Sequence, residues 1–183
     1  MQAGQDHSLL ILLDKARTMT LATIADIPEE WARWLPAGEA NHILWHAGHI
    51  FVLLERCLYA AEVGAEDVPA TIPAGWWPLF GWNSQPWTID SAAWPTLAEV
   101  RAQLEAQTVR LQQKLASFDE AFLGGPIAWP DPRWFGKPRR LVIVHGLYDE
   151  LLHTGQIMQL KRLAALHQQS IGEDHGSDQG PAI

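Results

Sequence analysis

The sequence has a single cysteine, no long apolar run and little positive charge. Cys57 alone cannot form an intramolecular disulfide, and a lone thiol fits a reducing compartment. No apolar stretch approaches the roughly 20 residues that a membrane-spanning helix requires. The segment from Met1 to His7 lacks the basic region and apolar core of a signal peptide. We therefore expect a cytoplasmic protein without a membrane partner.

The charge balance argues against binding to nucleic acid. The chain has 13 lysines and arginines against 21 aspartates and glutamates, a net charge of -8. Affinity for a phosphate backbone depends on clustered cations that displace counterions. Arg139 and Arg140 form the notable basic cluster, and a solvated helix start is the simpler explanation for it. We expect no nucleic-acid partner.

The sequence does contain enough apolar residues for one ordinary core. Hydrophobic residues make up 48% of the 183 positions, and charged residues make up 19%. Helical periodicity marks four segments, at about 7–25, 41–63, 96–118 and 138–167, and strand signals are weak. We predict one all-α domain over residues 1–167. Residues 168–183 are rich in Gly, Ser, Asp and Gln and are predicted to form a mobile tail.

Capping residues lie at the ends of these segments. Asp6 is a candidate N-cap of the first helix, and Gly64 is a candidate C-cap of the second. Thr96-Leu-Ala-Glu99 has the pattern of a capping box at the start of the third helix. Pro138 suits the first turn of the fourth helix. These signals favour four separate helices.

The connection between the second and third predicted helices is unusually long. Residues 65–95 are rich in Pro and Gly and hold five of the ten tryptophans: Trp76, Trp77, Trp82, Trp87 and Trp94. A link of this length suits a crossover between parallel neighbours rather than a hairpin. Because disordered linkers are poor in aromatic residues, we expect this one to pack against the bundle, to line the mouth of a site, or both.

Polar residues lie on the apolar faces of the second and fourth predicted helices. The two sets are His42, His46 and His49 on the second helix, and His145, Asp149 and His153 on the fourth. Spacings of three, four and seven place each set on one helix face. A single histidine on such a face is usually a core residue with one hydrogen bond. Two facing sets together are typical of a metal site in a helical bundle.

The length of a helical turn limits which residues share one ion. Two residues on a helix chelate a metal together only at spacings of three or four, because seven residues span roughly 10 Å. On the fourth helix the workable pairs are Asp149 with His153, and His145 with Asp149. The first pair is favoured because Gly155 allows close approach of a helix or a ligand. On the second helix, one histidine or an adjacent pair would contribute.

At these residues the sequence resembles the DinB-like (DinB/YfiT) family, whose members are regarded as metal-dependent enzymes. Asp149-Glu-Leu-Leu-His153-Thr-Gly-Gln156 looks like the motif of the family's last helix, two ligands four residues apart with x-Gly-Gln after the second. Trp45-His-Ala-Gly-His49-Ile-Phe-Val-Leu-Leu-Glu55 is similar to its second-helix motif, Trp-His-x-x-His-[Ile/Leu]-x-x-x-x-Glu. Two motifs in order, about 100 residues apart, are more specific than either alone. The resemblance covers roughly residues 7–166.

The resemblance implies a fold and a set of ligands. The fold is a DinB-like four-helix bundle, up-down-down-up, with a long crossover between helices two and three. The implied metal ligands are His49, Asp149 and His153. The resemblance is also compatible with a homodimer.

Asp149 is a departure from the commonest form of the family motif, which has histidine at this position. The implied donor set becomes two histidines and a carboxylate. Such a set suits a catalytic zinc with an open position, and it also suits ferrous iron with three facial positions. The family suggests zinc or nickel. The additional negative charge strengthens binding of a dication.

The resemblance also implies an activity. Described activities in the family are transfer or isomerisation reactions in which a low-molecular-weight thiol is activated at the metal and attacks a small-molecule substrate. Two alternatives stay open. One is a metal-dependent hydrolase with a bound water as nucleophile. The other is a non-catalytic stress-response or binding module whose metal is structural or absent.

The other polar residues of the two motifs have simpler interpretations. We expect His46 and His145 to support the ligands or to lie at the surface, and His42 to be exposed in the first helical turn. Glu55 and Glu150 are expected to pair with lysine or arginine at the surface. A structural role is favoured for Cys57, which is expected to pack among leucines.

Overall fold

The computed structural model describes residues 7–176, and its fold is an all-α bundle. In chain order the helices are α1 (Ser8–Ile24), α2 (Glu29–Ala32), α3 (Ile43–Glu62), α4 (Trp76–Phe80), α5 (Leu97–Ser117), α6 (Glu120–Gly124) and α7 (Arg139–Gly176). Four of them are long: α1, α3, α5 and α7. Within residues 7–176 there is no strand, and one isolated antiparallel bridge joins Pro126 to Pro138. The predicted fold class is confirmed.

Contacts between the long helices give their directions. Residue numbers rise together along α1 and α7, and also along α3 and α5, so each of these pairs is parallel. The contacts are Arg17–Glu150 and Asp26–Lys161 for the first pair, and Phe51–Gln107 and Glu62–Lys114 for the second.

Helices α3 and α7 are antiparallel. His46 contacts His153 near one end of the pair, and Cys57 lies against Gly146 farther along it. With α1 parallel to α7 and α3 parallel to α5, the order is up-down-down-up, as predicted. The segment between α3 and α5 must therefore return along the bundle, which explains its length.

The core consists of two apolar clusters with polar residues between them. Members of the first include Leu9, Leu13, Leu111, Leu115 and Leu147, and members of the second include Ile24, Val100, Leu104, Ile157 and Leu160. Between these levels α1, α5 and α7 present Arg17, Gln107 and Glu150 to the interior, and all three are buried. The bundle is therefore divided at mid-height by a polar layer.

An ion pair lies at the centre of this layer. Nε and Nη2 of Arg17 donate to the two carboxylate oxygens of Glu150 at 2.8 and 3.1 Å. Both residues are only 1% exposed. Thr20 donates to the same carboxylate at 2.8 Å, and Nη2 of Arg17 also donates to the Gln107 side-chain oxygen at 2.8 Å. Each charge is thus paired and further hydrogen-bonded, as burial requires.

The hydrogen bonds continue from Gln107 to Glu55 on α3. The Gln107 amide donates to Glu55 at 2.8 Å, and Arg110 and Thr71 donate to the same carboxylate at 2.8 and 2.5 Å. Burial acts to raise the pKa of Glu55, but these hydrogen bonds outweigh it and hold the pKa below its ordinary value. One network therefore joins all four long helices and the long linker.

The expectation that Glu55 and Glu150 pair with basic residues at the surface was wrong about their location. Both pair with an arginine, but both are buried. Arg17 was missed, although a signal existed. Its spacing from the buried residues Leu13 and Ile24 places it on the same face of α1.

The predicted caps are present at the start of α5 and the end of α3, but the N-cap of α1 is His7 rather than the predicted Asp6, and the last helix ends later than predicted. Thr96 and Glu99 form the predicted capping box, and Gly64 follows α3 with φ of +68°. The fourth helix was predicted to end near His167, and this was wrong. It continues to Gly176, since Gln168 to Ile171 are compatible with a helix and no proline intervenes. Asp6 and residues 177–183 lie outside the described residues, so the tail stays a prediction there.

The long linker packs mainly against the bundle. It contains α4 and two 3-10 turns, Pro86–Thr88 and Ser91–Ala93. Trp76 belongs to the apolar core, and Trp77 and Trp94 pack against it. Trp87, in contrast, is 61% exposed. The expected packing is therefore confirmed for most of these tryptophans.

No helix in the described part of the chain is both long enough and apolar enough to span a membrane.

Substitution of Arg17 by methionine tests the central ion pair. We expect the free energy of unfolding to fall by about 3–5 kcal/mol, because Glu150 would be left charged and unpaired in the interior. Urea denaturation measures the change. The double variant Arg17→Met/Glu150→Leu should recover much of the loss, since neither charge remains.

The matched control is Arg101→Met, which removes the ion pair with Glu105 on the surface of α5. Both side chains are roughly half exposed, so a loss of no more than about 1 kcal/mol is expected. An equally small loss for Arg17→Met would contradict the importance of the buried pair.

Candidate metal centre

The structure brings His49, Asp149 and His153 together. Nε2 of His153 lies 3.1 Å from Oδ2 of Asp149, and Nε2 of His49 lies 3.9 Å from the same oxygen. One donor atom from each residue lies within 4.8 Å of the others. Donors at 2.0–2.2 Å from one tetrahedral ion are separated by roughly 3.4 Å. The observed separations lie on either side of this value, so the three residues could hold a divalent metal ion.

Two neighbouring helices position the three side chains. Asp149 and His153 are one turn apart on α7, and His49 faces them from α3. Gly146, one turn before Asp149, allows the two helices to approach closely. A Cβ at this position would lie 3.0 Å from the Leu54 side chain and 3.2 Å from Cβ of Cys57.

His49 is held in the tautomer that a metal ligand requires. Its Nδ1 lies 2.6 Å from the carbonyl oxygen of Phe80, which can only accept, so Nδ1 carries the proton. The lone pair of Nε2 is then directed towards Asp149. Burial, aided by His153, lowers the pKa of His49 to about 4. The imidazole is therefore neutral at neutral pH, as metal binding requires.

His46 supports His153 from the other side. The Nδ1 atoms of the two rings lie 2.8 Å apart. Burial and the neighbouring histidines lower the pKa of His46 to about 3, so its ring is neutral. Without an ion, Nε2–H of His153 can donate to Asp149 while its Nδ1 accepts from His46. With an ion on Nε2, the proton of His153 would lie on Nδ1 and be donated to His46. His46 thus has the supporting position that was expected for it.

Asp149 is the anionic member of the cluster. Burial acts to raise the pKa of its carboxyl group, but the hydrogen bond with His153 and the neighbouring histidines outweigh this effect and lower the pKa. The carboxylate is therefore the stable form. Glu150, the next residue, faces Arg17 instead, which agrees with the rotation of about 100° between adjacent helical positions.

Trp45 and Phe80 fix the orientation of His49. The Trp45 ring stacks on the His49 ring with centroids 4.5 Å apart, and its Nε1 donates to Ser84 at 2.7 Å. Phe80 supplies the carbonyl that holds Nδ1. The linker therefore takes part in building the centre, through α4 and the residues after it.

His42 was expected to be exposed, and this was wrong. It is 6% exposed and is the N-cap of α3, where its Nδ1 accepts a hydrogen bond from the backbone of Trp45 at 3.0 Å. Its ring also lies edge-on to Trp94, with centroids 4.7 Å apart. Helix α3 begins at Ile43, so His42 precedes the first turn instead of lying within it.

A cavity of about 140 Å³ opens beside the cluster. It is lined by His49, Leu53, Cys57, Trp82, Trp129, Arg133, Trp134, His145 and Asp149. Of the five linker tryptophans, Trp82 alone is in this set, so the expectation that the linker lines the mouth of a site holds for one residue. Because two of the three cluster residues line the cavity, a ligand could reach the donors from this side.

Three residues of the lining were missed by sequence reasoning. Trp129, Arg133 and Trp134 belong to the segment between α6 and α7, which has no helical periodicity. The available signal was Trp129-Pro-Asp-Pro-Arg-Trp134, a turn-forming sequence with a tryptophan at each end.

Cys57, expected to be structural, packs in the apolar core. Burial raises the pKa of its thiol to about 12, so the thiol stays protonated.

The described residues form a four-helix bundle with a His-Asp-His cluster on two facing helices, beside an open cavity. This arrangement places the chain in the class of helical proteins that could bind a metal ion. The family model described as "DinB superfamily" matches residues 12–157. The chain therefore belongs to the DinB superfamily, and the resemblance seen in its motifs is confirmed.

Among solved structures, the following one is similar in fold. It is the "conserved protein of locus from Enterococcus faecalis", with a TM-score of 0.65 and 20% sequence identity. The match covers 88% of this chain and 98% of that chain. At this identity the likeness concerns the fold alone. A search of curated proteins gave no match.

Substitution of Gly48 by alanine tests the support of His49. A Cβ at Gly48 would lie 2.3 Å from the buried ring of Phe80, so the ring must move. We expect a loss of about 1–3 kcal/mol in the free energy of unfolding, as is usual for overpacking. Urea denaturation measures the stability, and NMR of the His49 ring reports whether its bond to Phe80 is retained.

Gly155→Ala is the matched control on α7, because no atom lies within 4 Å of the added Cβ. This variant should be neutral or stabilising by up to about 1 kcal/mol, since alanine favours a helix. Equal effects of the two substitutions would contradict the proposed packing of Phe80.

Proposed function

We propose that the chain is a divalent-metal-dependent enzyme that uses a low-molecular-weight thiol to transfer or isomerise a small-molecule substrate. The ion would be held by Nε2 of His49, a carboxylate oxygen of Asp149 and Nε2 of His153. The observation that carries the proposal is the convergence of these three donor atoms within 4.8 Å beside an open cavity.

The donor set fits a zinc or nickel ion. Two neutral imidazoles and one carboxylate leave a dication with a net positive charge and at least one position for another ligand. When bound, such an ion lowers the pKa of a thiol or water that coordinates it. The cavity beside His49 and Asp149 favours this catalytic arrangement over a closed structural site.

The nucleophilic thiol must come from another molecule. Cys57 is the single cysteine of the sequence, and burial keeps its thiol protonated. The residues of the chain instead orient and shield the reacting groups. Phe80 and His46 hold the two imidazoles, and the indoles around the cavity exclude water from its apolar side.

Metal content tests the ligand set. The purified wild-type protein should take up about one zinc or nickel ion per chain, measured by inductively coupled plasma mass spectrometry. His153→Ala and Asp149→Asn should lose nearly all of it. His46→Ala should weaken binding by roughly 10- to 100-fold, because it removes the partner that orients His153.

His167→Ala is the matched control, because this histidine lies on the same helix and is exposed. It should bind as much metal as the wild type. Full occupancy in His153→Ala would overturn the proposed ligands.

The response to a chelator and the substrate profile test the reaction. For an open catalytic site we expect removal of the metal to abolish activity and to lower Tm only modestly. The metal-loaded protein should conjugate glutathione, bacillithiol or mycothiol to an electrophile such as 1-chloro-2,4-dinitrobenzene.

Three outcomes would contradict the thiol-transfer proposal. Thiol-independent cleavage of ester or amide substrates would favour a metal-dependent hydrolase. A large fall in Tm without any activity would favour a structural metal in a binding module. Activity that survives complete removal of the metal would exclude a metal-dependent reaction.

A further inference from the structure

The cavity beside the metal centre has walls of aromatic rings. Trp82 and Trp129 lie with ring centroids 6.5 Å apart, and Trp134 lies 5.0 Å from the His145 ring. His49 and Asp149, two of the three candidate ligands, also line this cavity. A ligand in this cavity would therefore contact aromatic side chains and lie beside an ion held by the candidate ligands.

The segment that carries Trp129 and Trp134 is held by backbone hydrogen bonds. Ile127 donates to Lys137 at 2.8 Å and accepts from Gly136 at 3.0 Å, while Arg139 donates to Gly125 at 2.9 Å. These bonds close residues 125–139 into a hairpin-like loop. The two indoles are thus attached to an ordered loop at the start of α7, and the cavity is formed before any ligand arrives.

Arg56 packs over the ring of Trp129 and restrains it. The guanidinium carbon lies 4.4 Å from the ring centroid, and Nη1 of this buried arginine has no hydrogen-bond partner within the described part of the chain. The cation is therefore engaged with the indole face. An indole held on one face by a cation and buried to 95% has little freedom to move out of the cavity wall.

The cavity volume limits what can enter. About 140 Å³ is close to the roughly 150 Å³ of an apolar protein cavity that accommodates benzene. Arg133 at the rim is already engaged by Asp131, with Nη2 at 2.6 Å from Oδ2. A negative charge on a ligand would therefore be compensated mainly at the metal.

We infer that the group which enters this cavity is a single aromatic ring carrying one ionisable sulfur or oxygen donor, which reaches the metal ion. The inference rests on the proposed metal site and narrows its substrate class. Indole walls favour a flat ring over a puckered one of the same size, because stacked and edge-to-face contacts add to apolar burial.

Competing thiols test this inference on the zinc-loaded protein. Thiophenol and cyclohexanethiol have a similar size and the same donor atom, but only the first is flat and aromatic. Isothermal titration calorimetry should show tighter binding of thiophenol in the wild type. Because thiophenol is also more acidic, the decisive quantity is how the affinity ratio changes in variants of the cavity wall.

Trp134→Leu should reduce the thiophenol-to-cyclohexanethiol affinity ratio by roughly 2- to 10-fold, the amount expected from losing one aromatic contact. Trp82→Leu should act in the same direction and serves as a second variant if the first fails to fold. Trp87→Leu is the matched control, since Trp87 is a linker tryptophan that is exposed and lies outside the cavity. It should leave the ratio unchanged.

An unchanged ratio in both folded cavity variants would overturn the inference, and so would equal binding of the two thiols to the wild type. Zinc content, measured on the same samples, reports separately on the proposed function. A protein that binds zinc but shows no aromatic preference refutes the inference alone. A protein that binds no zinc refutes the metal site and the inference with it.

Discussion

The buried ion pair between Arg17 and Glu150 is the interaction on which the arrangement of the bundle depends. Both charges are out of contact with water, so each is tolerated only while the other faces it. Gln107 extends the pair to Glu55, and four helices thereby share one set of hydrogen bonds. A helix that slipped by one turn or rotated by one residue would leave a buried charge unpaired. Alternative packings of the same apolar faces are therefore disfavoured.

The ion pair and the candidate metal centre use neighbouring residues of α7, Glu150 and Asp149. Glu150 faces α1 and α5, whereas Asp149 faces α3, because adjacent residues of a helix point about 100° apart. Fixing the direction of Glu150 therefore also fixes the direction of Asp149. His153, one turn later, follows the same face. The rotation of α7 about its axis that pairs Glu150 with Arg17 therefore also brings Asp149 and His153 towards His49.

The surroundings of the candidate centre keep its imidazoles neutral and its carboxylate ionised. Burial keeps His46 and His49 uncharged, and the Phe80 carbonyl selects the tautomer of His49. Hydrogen bonding and the adjacent histidines keep Asp149 ionised in spite of its partial burial. These are the protonation states in which the three side chains can act as ligands. The linker contributes Phe80 and Trp82, so the long crossover has both a structural and a site-forming role.

Much of this could be predicted from the sequence because it depends on local chemistry. Periodicity and capping residues located four long helices, and the length of the linker implied the crossover. Ligand spacing on one helix, with the family motifs, pointed to His49, Asp149 and His153. The end of α7 was missed because nothing in the local sequence terminates the helix sharply. The burial of Glu55, Glu150 and His42 was missed because it depends on partners distant in the chain.

The sequence by itself determined the four long helices, through periodicity and capping residues, and its spacings limited which residues of one helix could share an ion. The up-down-down-up order and the set of His49, Asp149 and His153 were implied by the resemblance of its motifs to the DinB-like family. Tertiary structure alone decided that Arg17 meets Glu150 and that Phe80 holds His49. It also decided that Trp129 and Trp134 face the same cavity as Trp82. The bond between His49 and Phe80 joins residues 31 positions apart, and the bond between Arg17 and Glu150 joins residues 133 positions apart. No local sequence pattern encodes such pairings. They arise only when the apolar faces pack and the buried charges find their partners.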